Sequence, residues 1–255
     1  KLRDFHRYSV LELGMNHPRE ISYLSRISKP TVAVITNAES AHLEGLGSVT
    51  GVARAKAEIF LGMKPNSVAV INADDRFAAY WLARGRSCTT LTFGLDNQAD
   101  VKGDVEWRDD DMHVEIRLPE ETCEVKLNLL GQHNARNALA AAAVAWSLGF
   151  GADQIKAGLE QVQPVNGRLQ PRQGKHNALL IDDSYNANPA SLRCAIQVLT
   201  RREGHRVLVI GNMAELGSES ESFHRAAGRY AREKGIQQLL TTGTLAALSA
   251  EEFGI

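Results

Sequence analysis

Four groups of polar residues follow short runs of β-favouring apolar residues, and their side chains have the types that catalysis or ligand binding requires. Runs of this kind are typical of buried strands that end in loops. In an open parallel sheet, ligands bind beyond the carboxyl ends of the strands. We therefore treat these groups as candidate site residues: Glu12, the stretch 37–44, Asp182 with Asp183, and the stretch 212–215.

Glu12 and His42 follow two consecutive predicted strands. Consecutive parallel strands are often neighbours, so the two side chains could meet at one sheet edge. A carboxylate and an imidazole with open positions could hold a divalent cation, although Mg²⁺ prefers oxygen ligands and keeps much of its water. The alternative is that His42 caps a surface loop and Glu12 forms an ion pair.

Three residues on predicted helices could bind a nucleotide. Lys56 lies on the helix after the 37–44 stretch, and a lysine facing a cleft can bind phosphate or shift its pKa. The alternative is a solvated lysine paired with nearby acids. Asn134 and Asn137 lie one turn apart at a helix start, after Gly131, and amides suit purine edges. Capping of the helix by Asn134 would explain that residue equally well.

The order of the predicted elements indicates an α/β fold with a mostly parallel sheet. Apolar strands alternate with amphipathic helices, as in a sheet covered by helices. Residues 112–131 contain two runs in which polar and apolar residues alternate, and these predict an antiparallel hairpin at the sheet edge. The predicted strands, in order, are "YSVLELG", "TVAVITN", "SVAVINAD", "TTLTFG", the hairpin, "HNALLI", "HRVLVIG" and "IQQLLTTG".

A domain boundary is predicted in "QPVNGRLQPRQG", which has two prolines, two glycines and no clear period. We expect one domain over residues 1–163 and a second α/β domain over residues 164–255, with a hinge between them.

Composition excludes several classes of protein. The 255 residues are 44% hydrophobic and 23% charged. The net charge is −1, so there is no excess of positive charge that would indicate binding to nucleic acid or to a membrane. No apolar run reaches the roughly 18 residues of a membrane span. Three widely spaced cysteines favour a reducing cytosol. We expect a monomer. The sequence contains neither G-x-x-x-x-G-K-[ST] nor a G-x-G-x-x-G after a strand.

Seven stretches in order resemble the Mur ligases: "VLELGMN..REI", "TNAESAHLEGLGS", "ARAKAEIF", "NLLGQHNARNALAA", "VNGRLQ", "DDSYNANPAS" and "GNMAELGSES..H". The resemblance implies part of a central ATPase-type domain followed by part of a Rossmann-like C-terminal domain. Against the family plan, the chain would begin after the phosphate loop and end inside the C-terminal domain, so we expect no turnover by the chain alone. One departure is Arg19, where the family pattern would have glycine.

The resemblance also implies roles for the candidate residues on the metal side. Glu12 and His42 match magnesium ligands. Lys56 matches a lysine that is carbamylated, which turns a cation into an anionic oxygen ligand. Arg168 matches an arginine that reaches the γ-phosphate when the domains close. Lys56, His42 and Arg168 would be the catalytic residues.

The remaining implied roles concern the nucleotide and the substrates. Asn134 and Asn137 match contacts on the adenine side, and Asp183 matches a carboxylate on the ribose or ATP side. Four residues would face the peptide substrates: Asn37, Asn186, Asn188 and Glu215.

The implied reaction is ATP-dependent amide bond formation in the bacterial cytoplasm, with ATP and Mg²⁺ as cofactors. "DDSYNANP" and "MAELG" favour the branch of the family that adds D-alanyl-D-alanine to UDP-N-acetylmuramoyl-tripeptide through an acyl phosphate. Two alternatives stay open. One is a non-catalytic fragment that binds a nucleotide or partner, and the other is a sister ligase such as a folylpolyglutamate synthetase.

Overall fold

A six-stranded sheet lies at the centre of the N-terminal part of the chain. The computed structural model describes residues 3–40, 43–108 and 111–254. The strands lie in sequence order; the first four are parallel and the last three pair as an antiparallel meander at one edge. The strands are β1 (Val32–Ile35), β2 (Val68–Asn72), β3 (Thr89–Gly94), β4 (Val101–Arg108), β5 (Asp111–Arg117) and β6 (Thr122–Leu127).

Helices cover both faces of this sheet. The helices are α1 (Glu20–Ser28), α2 (Leu43–Leu46), α3 (Val49–Ala57), α4 (Ala78–Gly85), α5 (Gln132–Ser147) and α6 (Ala152–Glu160). Among the residues that the structure describes, no helix combines the length and the apolar character needed to cross a membrane.

Strand β2 shows why the parallel strands read as continuous apolar runs. Val70 packs in one buried cluster with Leu139 of α5, whereas Ala69 and Ile71 pack in another with Trp81 of α4. A strand that is buried on both faces needs apolar residues at every position. The predicted α/β class and its edge hairpin are therefore confirmed.

The C-terminal part has its own buried cluster, which includes Ile196, Leu208 and Leu239. Its elements are β7 (Gln170–Gln173), β8 (Leu179–Asp182), α7 (Pro189–Thr200), β9 (Val207–Ile210), α8 (Ser220–Glu233), β10 (Gln238–Thr241) and α9 (Thr244–Phe253). β7 and β8 pair antiparallel, and β9 and β10 pair parallel. The domain boundary at residue 163 and the hinge stay predictions.

Four elements differ from the sequence-based expectations. Residues 8–13 form no strand, because no neighbouring strand pairs with them. β4 was missed, since Gly103 and Asp104 weaken its β pattern. Four of the twelve residues of the irregular stretch at the boundary form strand β7. Helix α9, which follows β10 after Gly243, was not predicted.

Arg19, at the start of α1, has the left-handed backbone expected of a glycine. Its φ is 76°, which strains a residue with a side chain. The carboxylate of Glu58 holds this turn by accepting the N–H groups of Arg19 at 2.9 Å and Ser22 at 3.1 Å. The position that departs from the family pattern is therefore one at which backbone geometry favours glycine.

Candidate functional site

The loop after β1 is joined to helix α3 and to the loop after β2. The ammonium Nζ of Lys56, on α3, donates a hydrogen bond to the backbone carbonyl oxygen of Asn37 at 2.6 Å. Asp75 accepts the N–H of Ala38 at 2.8 Å and that of Phe77 at 2.8 Å. Lys56 and Asn37, which the sequence places 19 positions apart, thus meet at the carboxyl edge of the parallel strands.

Burial and two carboxylates determine the electrostatics around Lys56. Burial lowers the pKa of the Lys56 ammonium, and the negative charges of Asp75 and Glu39 oppose that shift. Partial burial raises the pKa of Glu39, and the neighbouring Asp75 adds to the rise. A lysine whose pKa is lowered exists more often as the neutral amine, which is the form that reacts with electrophiles.

The predicted metal ligands are not assembled among the described residues. Glu12 is exposed in a segment without regular secondary structure, and His42 lies outside the described residues. Over the described ranges, no group of three or more His, Cys, Asp or Glu side chains is placed to hold a metal ion. The carboxylates near Lys56 are oxygen donors that suit Mg²⁺, but its ammonium does not. The shared site of Glu12 and His42 stays a prediction.

Helix α5 begins at a glycine rather than at Asn134. Gly131 is the N-cap, with φ 92°, so the alternative that Asn134 caps this helix is wrong. Asn134 instead donates from Nδ2 to the carbonyl of Leu130 at 2.8 Å. Asn137 donates from Nδ2 to Oδ1 of Asn134 at 3.2 Å, so the two amides lie on the same face. The pair is held in place before any ligand binds.

A buried carboxylate fixes the loop that faces the start of α5. Asp74 accepts three consecutive backbone N–H groups, from Leu95 at 2.7 Å, Asp96 at 3.0 Å and Asn97 at 2.8 Å. Its side chain is 6% exposed and lies 3.4 Å from Nε of Arg136 on α5. Burial alone would raise the pKa of Asp74, but these N–H donors and Arg136 lower it. The carboxylate therefore stays ionised and ties β3 to α5.

Arg168 and Asp183 come together at the junction of the two parts of the chain. Oδ1 of Asp183 accepts the N–H of Leu169 at 3.0 Å, and the N–H of Tyr185 donates to the carbonyl of Gly167 at 3.0 Å. The guanidinium of Arg168 lies 4.2 Å from the centre of the Tyr185 ring. Burial raises the pKa of Asp183, and the charge of Arg168 opposes that rise.

The residues expected on the substrate side have different local roles. Asn188 is the N-cap of α7, and its Oδ1 accepts the N–H of Ser191 at 2.9 Å. Asn186 is exposed, and its Oδ1 accepts the N–H of Ala187 at 2.8 Å. Glu215 is exposed and has a left-handed backbone, with φ 59°. The capping of α7 gives Asn188 a clear structural role.

Two family models match successive parts of the chain. The model described as "Mur ligase middle domain" matches residues 1–145, and the model described as "Mur ligase, glutamate ligase domain" matches residues 167–254. The first of these covers more than half of the chain. The chain belongs to the Mur ligase family.

Known Mur ligases resemble this one along most of its length. The chain is 42% identical to the UDP-N-acetylmuramoyl-tripeptide–D-alanyl-D-alanine ligase of Escherichia coli, over 92% of this chain and 53% of that one. A crystal structure of MurF from Acinetobacter baumannii matches with a TM-score of 0.93 and 38% identity, over 98% of this chain and 55% of that one. The structure of MurF ligase from Thermotoga maritima in complex with ADP matches with a TM-score of 0.80 and 29% identity, over 91% of this chain and 54% of that one. The chain thus spans about half the length of these relatives.

The start of α5 in this Mur ligase faces helix α7 of the C-terminal part. A Cβ atom on Gly131 would lie 3.0 Å from a methyl group of Val198. Nearby, the guanidinium of Arg201 lies 4.3 Å from the centre of the Trp107 ring on β4. A cavity of about 290 Å³ separates the two parts, lined by Gly131, Gln132, His133, Cys194, Gln197, Val198, Thr200, Arg201 and Lys234. Asn134 follows directly after this lining on α5.

The sequence analysis did not single out several acidic residues that fix the loops of the candidate site and the start of α1. Asp74 and Asp75 follow β2 directly, so the rule that polar residues follow strands would have found them. Glu39 lies within the stretch already singled out. Glu58 had no such signal, because its partners at the start of α1 are 36 and 39 residues away in sequence.

Proposed function

We propose that this chain forms part of an ATP-dependent ligase that joins D-alanyl-D-alanine to UDP-N-acetylmuramoyl-tripeptide, a step of peptidoglycan precursor synthesis in the bacterial cytoplasm. The observation that carries the proposal is the 42% identity to a ligase named for these two substrates, extending over 92% of this chain. The two family models match in the same order as the two parts of the chain.

In this proposal, the nucleotide lies between α5 and the junction of the two parts. Asn134 and Asn137 would read the purine edge, since amides donate and accept together. Asp183 would accept from the ribose, and Arg168 would bind the γ-phosphate. The stacking of Arg168 on Tyr185 and the hydrogen bond from Leu169 to Asp183 support a common site for these two side chains.

Glu12, His42 and carbamylated Lys56 are the proposed Mg²⁺ ligands. The lowered pKa of Lys56 favours the neutral amine that reacts with carbon dioxide. When bound, Mg²⁺ would offset negative charge on the phosphoryl oxygens. In this structure, Nζ of Lys56 donates a hydrogen bond to the carbonyl of Asn37. A carbamate on Nζ would replace that hydrogen bond with oxygen atoms that can bind a metal ion.

The proposed reaction has two chemical steps. The carboxylate of the UDP-N-acetylmuramoyl-tripeptide attacks the γ-phosphorus of ATP, which gives an acyl phosphate and ADP. The amine of D-alanyl-D-alanine then attacks the acyl carbon, a proton leaves the nitrogen, and phosphate departs. Arg168 would stabilise charge on the transferred phosphoryl group. Asn37 would position the tripeptide, while Asn186, Asn188 and Glu215 would position the dipeptide.

A chimeric enzyme tests this function directly. The chain would replace the aligned half of the Escherichia coli ligase, so that the relative supplies a phosphate loop, a motif that these 255 residues lack. We expect ADP release that requires both the UDP-N-acetylmuramoyl-tripeptide and D-alanyl-D-alanine. The 255-residue chain by itself is the reference, for which we expect no turnover.

Two comparisons sharpen the assay. Arg168→Gln should abolish turnover in the chimera, whereas Arg54→Gln, at an exposed position of α3, should leave it unchanged. Turnover with folate and glutamate in place of these substrates would support the sister ligase instead. A folded chimera that binds ATP but does not release ADP with both substrates present would favour the non-catalytic alternative.

A further inference from the structure

The loop between β9 and α8, residues 211–216, is fastened to both of the following helices. Oδ1 of Asn212 accepts the N–H of Ala246, at the start of α9, at 2.9 Å. The side chains of Met213 and Leu216 are each 2% exposed and belong to the buried cluster of the C-terminal part. Ala214 and Glu215, which lie between Met213 and Leu216, are exposed.

His224 on α8 provides a further attachment from beneath the loop. Its side chain is completely buried, and Nε2 accepts the backbone N–H of Met213 at 2.9 Å. Because that N–H can only donate, Nε2 must carry the lone pair and Nδ1 the proton. Nδ1 then donates to the carbonyl of Ser220 at 2.7 Å, so both ring nitrogens are used.

The helix that carries His224 is itself fixed against its neighbour. The hydroxyl of Ser249, on α9, donates to the carbonyl of His224 at 2.7 Å, and Ser249 is completely buried. Gly228, one turn further along α8, packs directly on the backbone of Ser249. The position of the imidazole, and with it the Nε2 lone pair, is therefore fixed by the packing of α8 on α9.

The loop that His224 holds contains a strained turn. Glu215 has φ 59°, a left-handed conformation that is unfavourable for a residue with a side chain. Such strain persists only where the surroundings fix the backbone, and it is common at ligand-binding positions. Buried anchors at Met213 and Leu216 lie on either side of this turn and give it that support.

We infer that His224 is a positioning residue for the site that binds the amine substrate. It acts through the Met213 N–H, which fixes the loop so that Glu215 faces the incoming dipeptide. This inference rests on the proposed function, because that proposal places the 211–216 loop beside D-alanyl-D-alanine. His224 itself touches no substrate.

Two substitutions separate the loop contact from the rest of the ring. In His224→Gln, the amide oxygen can reach the position of Nε2 and still accept the Met213 N–H. In His224→Asn, the shorter amide reaches only the position of Nδ1, and the Met213 N–H loses its acceptor. Circular dichroism of both variants checks that α8 stays helical.

Amide hydrogen exchange on the 255-residue chain measures the positioning step without any catalysis. We expect the Met213 amide to exchange about 10-fold faster in His224→Asn than in the wild type, as loss of one hydrogen bond predicts, and within about 3-fold of it in His224→Gln. Equal protection in the wild type and the Asn variant would overturn the inference. If the Asn variant does not fold, the ¹⁵N spectrum of the wild-type imidazole decides: a protonated Nε2 would also overturn it.

Kinetics of the chimera then connect the loop to the substrate. His224→Asn should raise the KM for D-alanyl-D-alanine about 10-fold and leave the KM for ATP unchanged. His224→Gln should have a KM for D-alanyl-D-alanine close to that of the wild type. An equal fall in kcat with every KM unchanged would show a purely structural role and refute the inference. If the wild-type chimera is inactive, the proposed function fails, and the exchange experiment still decides whether His224 positions the loop.

Discussion

The Nζ atom of Lys56 lies 2.6 Å from the backbone carbonyl oxygen of Asn37, so helix α3 reaches back to the loop at the end of β1. Lys56 is on the third turn of α3, and side chains of a helix lean toward its N-terminus, which explains the reach. The same geometry that makes this hydrogen bond would bring a carbamate on Nζ to the carboxyl edge of the sheet.

Replacing Lys56 with alanine should therefore lower the turnover of the chimera about 100-fold, as loss of a residue at a metal site can. The fold should stay intact, because the lost contact is a single hydrogen bond at a solvent-accessible edge. Acetate should restore part of the rate, since it can supply the missing anion. The measurement is ADP release with and without acetate.

Lys64→Ala is the matched control for this prediction. Lys64 is exposed, and its side chain makes no hydrogen bond or ion pair within the described part of the chain, so its removal should change neither rate nor acetate dependence. Full activity of Lys56→Ala in bicarbonate-free buffer would show that neither a carbamate nor a metal role exists at this position.

Asp74 should stabilise the protein in a pH-dependent way. Its pKa in the folded chain lies below the ordinary value, so the stability that it contributes is present above about pH 4 and is lost as pH falls through the folded pKa. Asp74→Asn should reduce the free energy of unfolding by about 1–3 kcal/mol near pH 7, because three backbone donors lose a charged acceptor. Urea unfolding between pH 3 and pH 7 measures both effects.

Asp96 offers an internal comparison, because it pairs with the same Arg136 from an exposed position. Its carboxylate lies 2.7 Å from the guanidinium, but the side chain is 61% exposed. Asp96→Asn should therefore cost only about 0–1 kcal/mol. Equal losses for the two variants would mean that the salt bridge, rather than the backbone donors, accounts for the effect of Asp74.

Gly131 should tolerate no side chain. Its φ of 92° is strained for other residues, and a Cβ atom would lie 2.6 Å from Cε1 of His133. Gly131→Ala should lower the free energy of unfolding by about 2 kcal/mol or more from backbone strain and the close contact. Gly158→Ala, on α6 with open space around the site, should instead stabilise by about 0.5–1 kcal/mol. Urea midpoints of both variants test the contrast.

The sequence predicts the central strands well because their pattern is local. β1 and β2 are short apolar runs between helices, and this combination identifies buried parallel strands. The segment at residues 8–13 has the same β-favouring composition but forms no strand. A strand needs a partner as well as propensity, and pairing cannot be read from a single segment.

Contacts between distant residues explain most of what the sequence did not predict at the site. The amide pair Asn134 and Asn137 was predictable from helix spacing, since residues three apart share a face. Asp74 accepts from backbone N–H groups 21 to 23 residues away, and Arg136 is 62 residues away. Such contacts depend on the order of strands in the sheet, which the periodicity of one element does not contain.

Asn188 should prove more important for stability than Asn186, although both lie in one loop. Asn188 caps α7 and exchanges hydrogen bonds with Ser191, so Asn188→Ala should cost about 1 kcal/mol. Asn188→Ser should keep most of that stability, because a serine hydroxyl also accepts at an N-cap. Asn186→Ala should stay within about 0.5 kcal/mol of the wild type, since its side chain is exposed. Thermal or urea unfolding of the three variants gives the ranking.

If Asn188→Ser is stable but raises the KM of the chimera for D-alanyl-D-alanine, Asn188 also contacts the substrate. If it leaves that KM unchanged, the role of Asn188 is capping alone, and substrate binding in this loop falls to Asn186.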